Sequence, residues 1–384
     1  MRPCPGLPLL LPVIFGGLLQ LVGCASVPAP LSLPAAPLSS AGTMPESTPE
    51  PTSTPAPEPT SWTLVAGGDV LPACWLDPYL EQNGQDYPYE FLSPYFQSAD
   101  IGLVNLECPL STRGRPFRNK KFTFHGKPEA ASALRRAGIT AVSLANNHIL
   151  DFGPEALQDT LEALDAAEIA HAGAGPDLRA AHRAAAVHLA GNRTLAILSY
   201  SLTYPSEFWA GARKPGTALA RFPLVEADIR SATAWADEVV VCFHWGGELE
   251  PDPKSYQIQY GHAAIDAGAR IVLGSHPHIL QGVEWYRGGV IFYSLGNLVF
   301  GGGRSAKAVD SILAKTQVES AGSSLSAWAL ALSVDNLSTR FMPRPLNGSR
   351  AERIYQHLQH LSSQWGTRFQ EDDSGWVRIL PPEP

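Results

Sequence analysis

After residue 62 the chain alternates apolar, β-rich runs with helical segments, and this alternation most restricts the folds open to it. Two helices are marked at their ends, because Pro128–Ala137 and Pro154–Ala167 both begin with proline. Strands that alternate with helices predict a sheet covered by helices. The predicted strands are Thr63–Ala66, Ile101–Leu106, Thr140–Ala145, Thr194–Leu202, Glu238–Phe243 and Arg270–Leu273, and the further predicted helices are Val225–Ala236, Tyr256–Ala267 and Ala351–Ser363.

A different pattern follows at residues 282–300, "GVEWYRGGVIFYSLGNLVF". The turn Arg287-Gly288-Gly289 separates two β-rich runs, which predicts a hairpin. A purely parallel, doubly wound sheet has no need of a hairpin. The pattern therefore favours a mixed sheet or two packed sheets.

The first residues have the composition of a processing segment. Arg2 precedes an apolar stretch, Leu7–Leu21, and Leu21-Val22-Gly23-Cys24 has the form of a bacterial lipobox. We therefore expect residues 1–23 to be a signal peptide and Cys24 to be lipidated, which anchors an extracytoplasmic protein to the bacterial membrane. A plain secretory signal or an uncleaved anchor is the alternative, and both also place the protein outside the cytoplasm.

A tether and a single folded domain are expected after the signal peptide. Residues 24–61 are rich in Pro, Ser and Thr and carry too few apolar side chains to fold, so they are expected to be disordered. Residues 62–384 are expected to form the domain. Within it Cys242 lies in an apolar run and is predicted to be buried. Cys74 and Cys108 could form a disulfide in an oxidising compartment.

Charge argues against one class of partner. The chain has 28 basic and 36 acidic residues and a formal net charge of −8. Since the lysines form no large cluster, we expect no nucleic-acid partner.

Polar side chains follow the predicted strands where each strand ends. In open α/β sheets ligands bind outside the carboxyl ends of the strands, so these side chains are predicted to converge on one rim. They are Asp69, Glu107, Asn147, His148, His244, His276 and His278.

The chemistry of this set is that of a metal site. Carboxylate, amide and imidazole ligands together suit Zn, Mn or Fe. Two ions about 4 Å apart, bridged by a carboxylate, would activate water and stabilise a tetrahedral transition state, whereas one ion would use fewer ligands. His276 and His278 leave their own geometry open, because side chains two apart in an extended segment point to opposite faces.

The sequence resembles the CapA family of poly-γ-glutamate capsule biosynthesis proteins, whose domain is related to calcineurin-like metallophosphoesterases. The most specific matching stretches are "SLANNHILDFG" (143–153), "GSHPH" (274–278) and "YSLGN" (293–297). Matching segments run in the family's order across residues 62–300. The resemblance implies a four-layer α/β/β/α sandwich of the metallophosphoesterase type, with mixed sheets and a metal site at the strand ends.

The resemblance also implies roles for individual residues. Glu107 takes the place of a bridging aspartate, and His148, steered by Asp151, would protonate the leaving group or orient the substrate. Most phosphoesterases carry a histidine two residues after the first aspartate, where this chain has Leu71. One metal would then lack a ligand, or Glu248 would supply it. The implied metal ligands are Asp69, Glu107, Asn147, His244, His276 and His278, and the implied substrate contacts are Asn146, Glu248 and Asn297.

Three functions are compatible with these residues. The first is synthesis or processing of poly-γ-glutamate or a similar anionic surface polymer, with other capsule-synthesis subunits as possible partners. The second is hydrolysis of a phosphate ester or an amide in another cell-envelope substrate, and the third is polymer binding without catalysis. An acidic protein does not attract an anionic polymer, so either the metal or a basic rim would have to do so. The basic loop after Glu107 is either that rim or an exposed solvated loop, and it contains Arg113, Arg115, Arg118, Lys120 and Lys121.

Overall fold

The computed structural model describes residues 61–303, 308–319, 324–372 and 375–383. The predicted signal peptide, Cys24 and nearly all of the predicted tether lie outside these residues. Ser61, placed at the end of the tether, instead begins the first strand. Within the described residues, no helix combines the length and apolar character needed to cross a membrane.

Strands and helices alternate along the first three quarters of the domain. The strands are β1 Ser61–Leu71, β2 Ile101–Leu106, β3 Ala141–Ser143, β4 Ala170–Ala172, β5 Ala174–Gly175, β6 Ala185–Leu189, β7 Arg193–Ser201, β8 Gly216–Thr217, β9 Glu238–His244, β10 Ile271–Ser275, β11 Val283–Tyr286, β12 Gly289–Phe292, β13 Asn297–Phe300, β14 Asp310–Glu319, β15 Leu325–Ser333, β16 Arg344–Pro345, β17 Arg368–Glu371 and β18 Val377–Leu380. The α-helices are α1 Asp77–Asn83, α2 Ser93–Gln97, α3 Glu129–Arg136, α4 Gly153–Ala166, α5 Leu178–Ala181, α6 Phe222–Ala232, α7 Ser255–Asp266, α8 Asn336–Thr339 and α9 Gly348–Leu361.

Two mixed sheets contain most of these strands. The larger has the order β17-β18-β15-β14-β1-β2-β3-β4, with β13 also paired to β1 and β16 to β15. Its strands β1, β2, β3 and β4 are parallel, whereas β14 and β15 are antiparallel. The smaller sheet has the order β11-β12-β10-β9-β7-β6, and β7, β9, β10 and β12 are parallel within it. The predicted hairpin is confirmed as β11 and β12.

The buried side chains define four layers. Alternate residues of a strand point to opposite faces of a sheet. On β2, Val104 packs with α3 and α4, while Leu103 faces the second sheet. On β9, Val240 faces the first sheet, while Val241 packs with α6 and α7. The layers are therefore helix, sheet, sheet and helix, which confirms the four-layer sandwich.

Two expectations about individual residues have different outcomes. Cys242 is buried, as predicted. The disulfide between Cys74 and Cys108 is not formed: Cys108 is a free thiol, buried between the larger sheet and the helices that cover it.

Strand β1 continues beyond the predicted Thr63–Ala66 because Gly67 and Gly68 let β13 lie against it. A Cβ at Gly68 would be 1.8 Å from the carbonyl oxygen of Gly296. Without that Cβ, the Asp69 amide donates to the same oxygen at 3.0 Å. Gly68 thus fixes the backbone of the first predicted metal ligand.

We expect Gly68→Ala to lower the free energy of unfolding by about 1–3 kcal/mol, because the added methyl forces β13 away from β1. Chemical denaturation of the full chain measures this change. Gly303→Ala is the matched control, since a Cβ there has nothing within 4 Å. Equal unfolding free energies for the two variants would show that the strands tolerate the separation.

Candidate metal centre

Carboxyl ends of parallel strands from both sheets meet at one rim. Asp69 lies near the end of β1 and Glu107 directly follows β2. From the second sheet, His244 is the last residue of β9 and His276 follows β10. All four of these side chains are buried. These four side chains therefore come from both sheets, meet at one rim and are shielded from solvent.

Glu107 is the residue that connects the candidate ligands. One group of possible ligand atoms comes from Glu107, His276 and His278, and a second comes from Asp69, Glu107 and His244. Within each group the atoms lie within 4.8 Å of one another. Glu107 belongs to both groups, so its carboxylate occupies the position that a bridging ligand requires.

His276 and His278 meet the same centre because the backbone departs from an extended path. Both residues have positive φ, at 96° and 60°, which non-glycine residues rarely adopt. The reversal brings Nδ1 of His278 within 3.0 Å of Asp69 Oδ2, while Nε2 lies 3.9 Å from Glu107 Oε1. Such conformations cost about 1–3 kcal/mol each and are concentrated at functional sites.

His244 is oriented by contacts at both ring nitrogens. Nδ1 lies 3.0 Å from Ser275 Oγ. Nε2 lies 2.9 Å from Asn147 Oδ1 and 3.4 Å from Glu107 Oε1. An outer partner that fixes one nitrogen and leaves the other facing the centre is typical of metal-binding histidines. Asn147, the predicted amide ligand, is thus brought to the same place.

Asn105, which the sequence analysis did not identify, holds the two carboxylates. Its Nδ2 donates to Asp69 Oδ1 at 2.9 Å and lies 3.4 Å from Glu107 Oε2. Its Oδ1 accepts from Asn146 Nδ2 at 3.2 Å. A signal existed, because Asn105 precedes Glu107 by two residues and interrupts the otherwise apolar strand "IGLVNL".

Asn146, one of the implied substrate contacts, is used inside the protein. Its side chain is buried and donates to the Leu106 carbonyl at 2.8 Å. Its Oδ1 accepts from the His148 and Ile149 amides. Asn146 therefore shapes the loop that carries the next two residues, and its contact with substrate stays a prediction. Glu248 and Asn297, the other implied contacts, do line the cleft beside the centre.

A second cluster lies beside the candidate ligands. His148 Nδ1 is 2.6 Å from Asp151 Oδ2, and Lys120 Nζ is 2.6 Å from Asp151 Oδ1. Lys120 Nζ also lies 3.0 Å from His148 Nδ1 and donates to the Asn147 carbonyl. Asp151 thus takes the steering position that the resemblance implies. The Lys120 side chain is only 14% exposed. The other basic residues of its loop are exposed, and one of them, Arg113, pairs with Asp159.

Burial and mutual attraction set the protonation of the centre. Burial raises the pKa of Asp69, and the neighbouring Glu107 raises it further. Burial would also raise the pKa of Glu107, but His278 and His244 hold it well below its usual range. Burial opposes charging of His278, yet Glu107 and Asp69 raise its pKa to about 10. Burial, with His244 and His278, keeps the pKa of His276 well below its ordinary value.

Hydrogen bonding gives a second reason, besides the residue types, to expect a divalent metal at this site. Among the described residues, Glu107 Oε1 and His276 Nδ1 are buried atoms without a hydrogen-bond partner. Seven other buried side-chain atoms among the described residues also lack such a partner, but these two alone belong to one candidate ligand group, which indicates a shared missing partner. A cation at this position would satisfy both.

Leu71 stands where most phosphoesterases have a metal-binding histidine, and the structure shows whether Glu248 could replace that ligand. Leu71 is fully buried, in the first core, and leaves no polar group at that position. Glu248 is exposed and belongs to neither of the two groups found among the described residues. The side of the centre near Asp69 therefore depends on Glu107 and His244, with Asn105 attached to Asp69 by a hydrogen bond.

Comparisons with known proteins agree with the motifs. The family model described as "Bacterial capsule synthesis protein PGA_cap" matches residues 63–302. The chain is 28% identical over 325 residues to "Capsule biosynthesis protein CapA" of Bacillus anthracis, which covers 83% of this chain and 77% of that protein. It is 33% identical over 234 residues to "PGA biosynthesis protein CapA" of Bacillus subtilis, covering 61% of this chain and 62% of that protein.

Among solved structures, the NAD nucleotidase of Haemophilus influenzae aligns with a TM-score of 0.41 and 10% identity, over 78% of this chain and 62% of that one. The match of the family model extends from β1 to just beyond β13 and includes every candidate ligand. The chain belongs to the bacterial capsule synthesis protein family PGA_cap.

Proposed function

We propose that the protein acts outside the cytoplasm on poly-γ-glutamate or a similar anionic surface polymer, as a metal-dependent hydrolase. Membership of the family supports the polymer, as do the names of the relatives from the two Bacillus species. The observation that carries the chemistry is the buried Glu107 carboxylate shared by two groups of candidate ligands.

One or two divalent ions, of Mn, Zn or Fe, suit this mixture of carboxylate, amide and imidazole groups. Glu107, His276 and His278 would hold one ion, and Asp69, Glu107 and His244, with Asn147, would hold the other. A divalent ion bound there supplies Lewis-acid polarisation of the scissile group and a lowered pKa for water.

The residues beside the ligands supply proton transfer and orientation. His148 presents Nδ1 to Asp151, which leaves Nε2 as the nitrogen available to a substrate in the cleft. In that position His148 would donate a proton to the leaving group. Lys120 compensates the charge of Asp151 and ties the loop at the Asn147 carbonyl. Both contacts hold the imidazole in one orientation.

The proposed location depends on the residues that precede the domain. Cleavage after residue 23 and lipidation of Cys24 would anchor the domain to the membrane through the tether. Mass spectrometry of the mature N-terminus should find a diacylglycerol on Cys24, and an unmodified Cys24 would exclude the lipid anchor.

The polymer assignment is tested with the gene and with the purified protein. Deletion should change the amount or length of surface polymer, and unchanged polymer would contradict the proposed role. Incubation of the metal-loaded protein with poly-γ-glutamate should shorten the chains on a gel. Turnover of bis(p-nitrophenyl) phosphate without any effect on polymer would instead favour a phosphoesterase, and retained polymer binding without turnover would favour a binding module.

Metal binding should release a proton from His278 and none from His276. The pKa of His278 is raised to about 10, so its ring is protonated at pH 8 and must lose that proton to bind a metal. His276 is already neutral. Affinity should therefore rise with pH up to about 10. Calorimetry at pH 8 in buffers of different ionisation enthalpy measures the release.

His276→Ala and His278→Ala provide the comparison. Both remove one candidate ligand, but only His278→Ala should abolish the proton release. Equal release from the two variants would contradict the assigned charges.

A further inference from the structure

Two pockets border the candidate metal centre and are lined by different residues of it. The apolar pocket has a volume of about 130 Å³ and includes Phe122, Phe124 and Phe300. The tyrosine pocket has a volume of about 600 Å³ and includes Tyr204, Tyr256 and Tyr260.

The centre contributes residues to both pockets. His148 and His278 line the apolar pocket, whereas Asn147 and His276 line the tyrosine pocket. Glu248 lines both. A reacting group at the candidate ligands would therefore lie where the pockets meet.

The geometry points to a substrate that is a chain, bound across the centre with one segment in each pocket, so that it is attacked within the chain. The inference rests on the proposed function for the identity of the chain. A small monomer would fill one pocket and leave the other unused. A linear polymer satisfies both, with its scissile linkage at the junction.

The two linings suit different parts of a γ-linked glutamate chain. Each repeat places an α-carbon with its carboxylate and two methylene groups between successive amides, and the phenylalanines of the apolar pocket favour the methylene part. In the tyrosine pocket, Tyr256 and Tyr260 are fixed, because Tyr256 Oη accepts from the Gly246 amide and Tyr260 Oη donates to the Ala220 carbonyl. Tyr204 is 75% exposed although its ring centroid lies 5.4 Å from that of Trp209, so most of the ring remains accessible to an incoming amide.

The test measures how affinity depends on chain length. γ-Linked glutamate oligomers of increasing length are titrated into the metal-loaded full chain carrying His148→Ala, so that they are not consumed. Affinity should rise by roughly tenfold or more once an oligomer spans both pockets, and then level off, because the second contact becomes intramolecular. A parallel titration with glycerol-phosphate oligomers shows whether the protein recognises any anionic chain or γ-linked glutamate in particular.

Substitutions in each pocket show which pocket binds each segment of the oligomer. Phe122→Ala and Tyr204→Ala should each weaken the longest oligomer by about tenfold, while at most one of them weakens the dimer. Trp235→Ala is the control, since this exposed aromatic residue lines neither pocket. Unchanged metal content in each variant shows that the centre is intact.

The outcomes separate this inference from the proposed function. Affinity independent of length in both series, or loss of affinity in neither pocket variant, overturns binding across the centre. Length dependence with glycerol phosphate but not with γ-glutamate supports binding across the centre and overturns the proposed polymer. A protein that binds long chains in both pockets but hydrolyses none supports binding across the centre and overturns both the proposed chemistry and the attack within the chain.

Discussion

Replacement of Glu107 by Gln is expected to abolish metal binding at both candidate positions. Glu107 is the one residue common to the two ligand groups, so the substitution removes a ligand from each and the negative charge between them. Loss of an outer hydrogen-bond partner typically lowers metal affinity by roughly 10–100-fold, and loss of a shared ligand should exceed that range. Elemental analysis after dialysis, with calorimetric titration of Mn²⁺, measures the effect.

Comparison with Asp69→Asn and His276→Ala gives this prediction its specificity. Each of these substitutions touches a single group. We therefore expect each to reduce the number of bound ions by one at most, while Glu107→Gln removes all of them. Glu81→Gln is the charge-matched control, because Glu81 is exposed, forms an ion pair with Lys127 and belongs to neither ligand group among the described residues. A Glu107→Gln protein that retains a full complement of metal would exclude the bridging position.

The strand ends were predictable from sequence because periodicity and topology act together. A run such as Ile101–Leu106 is buried along its whole length, and it was recognised as a strand from its apolar residues alone. Parallel strands then place their carboxyl ends at one edge, which is why Glu107 and Asn147 could be expected near each other. The same reasoning applies to His244 and His276 in the second sheet. The late strands β14 and β15 were not predicted, although they form the longest antiparallel pair.

Features that depend on tertiary contacts were beyond sequence reasoning. Lys120 was one of several basic residues in a loop, and its contact with Asp151 arises only when that loop folds over α4 and its preceding turn. The positive φ values of His276 and His278 are uncommon for non-glycine residues and are not evident from the sequence pattern. Asn105 is conspicuous as the polar residue of an apolar strand, but its contacts with Asp69 and Glu107 are visible only in the folded protein.

Leu71 shows how a single residue can change a site without disturbing the fold. Its side chain belongs to the same core that supports β1 and β2, so the strand keeps its place without an imidazole. Asn105 keeps Asp69 oriented by a hydrogen bond instead of by a neighbouring ligand. The group that contains His278 and His276 retains two imidazoles beside Glu107. Of the two candidate positions, this one should bind its metal more tightly.

His148→Ala should lower turnover by about 10²–10⁴-fold without loss of metal, because general acid catalysis typically contributes that factor. The residue lines the cleft but belongs to neither group of candidate ligands among the described residues. Asp151→Asn should have a smaller effect, since Asp151 acts by orienting the imidazole. The measurements are kcat on bis(p-nitrophenyl) phosphate, cleavage of poly-γ-glutamate, and metal content of the same preparations.

A matched control separates chemistry from folding. His171→Ala removes an imidazole that pairs with Asp165 and lines neither pocket, so kcat should stay unchanged. Substrates with a good leaving group need little proton donation, so the loss in His148→Ala should be smaller for p-nitrophenyl esters than for the amide linkages of the polymer. Equal losses on both substrates would mean that His148 orients the substrate and does not protonate its leaving group. An unchanged kcat on both would remove His148 from the reaction altogether.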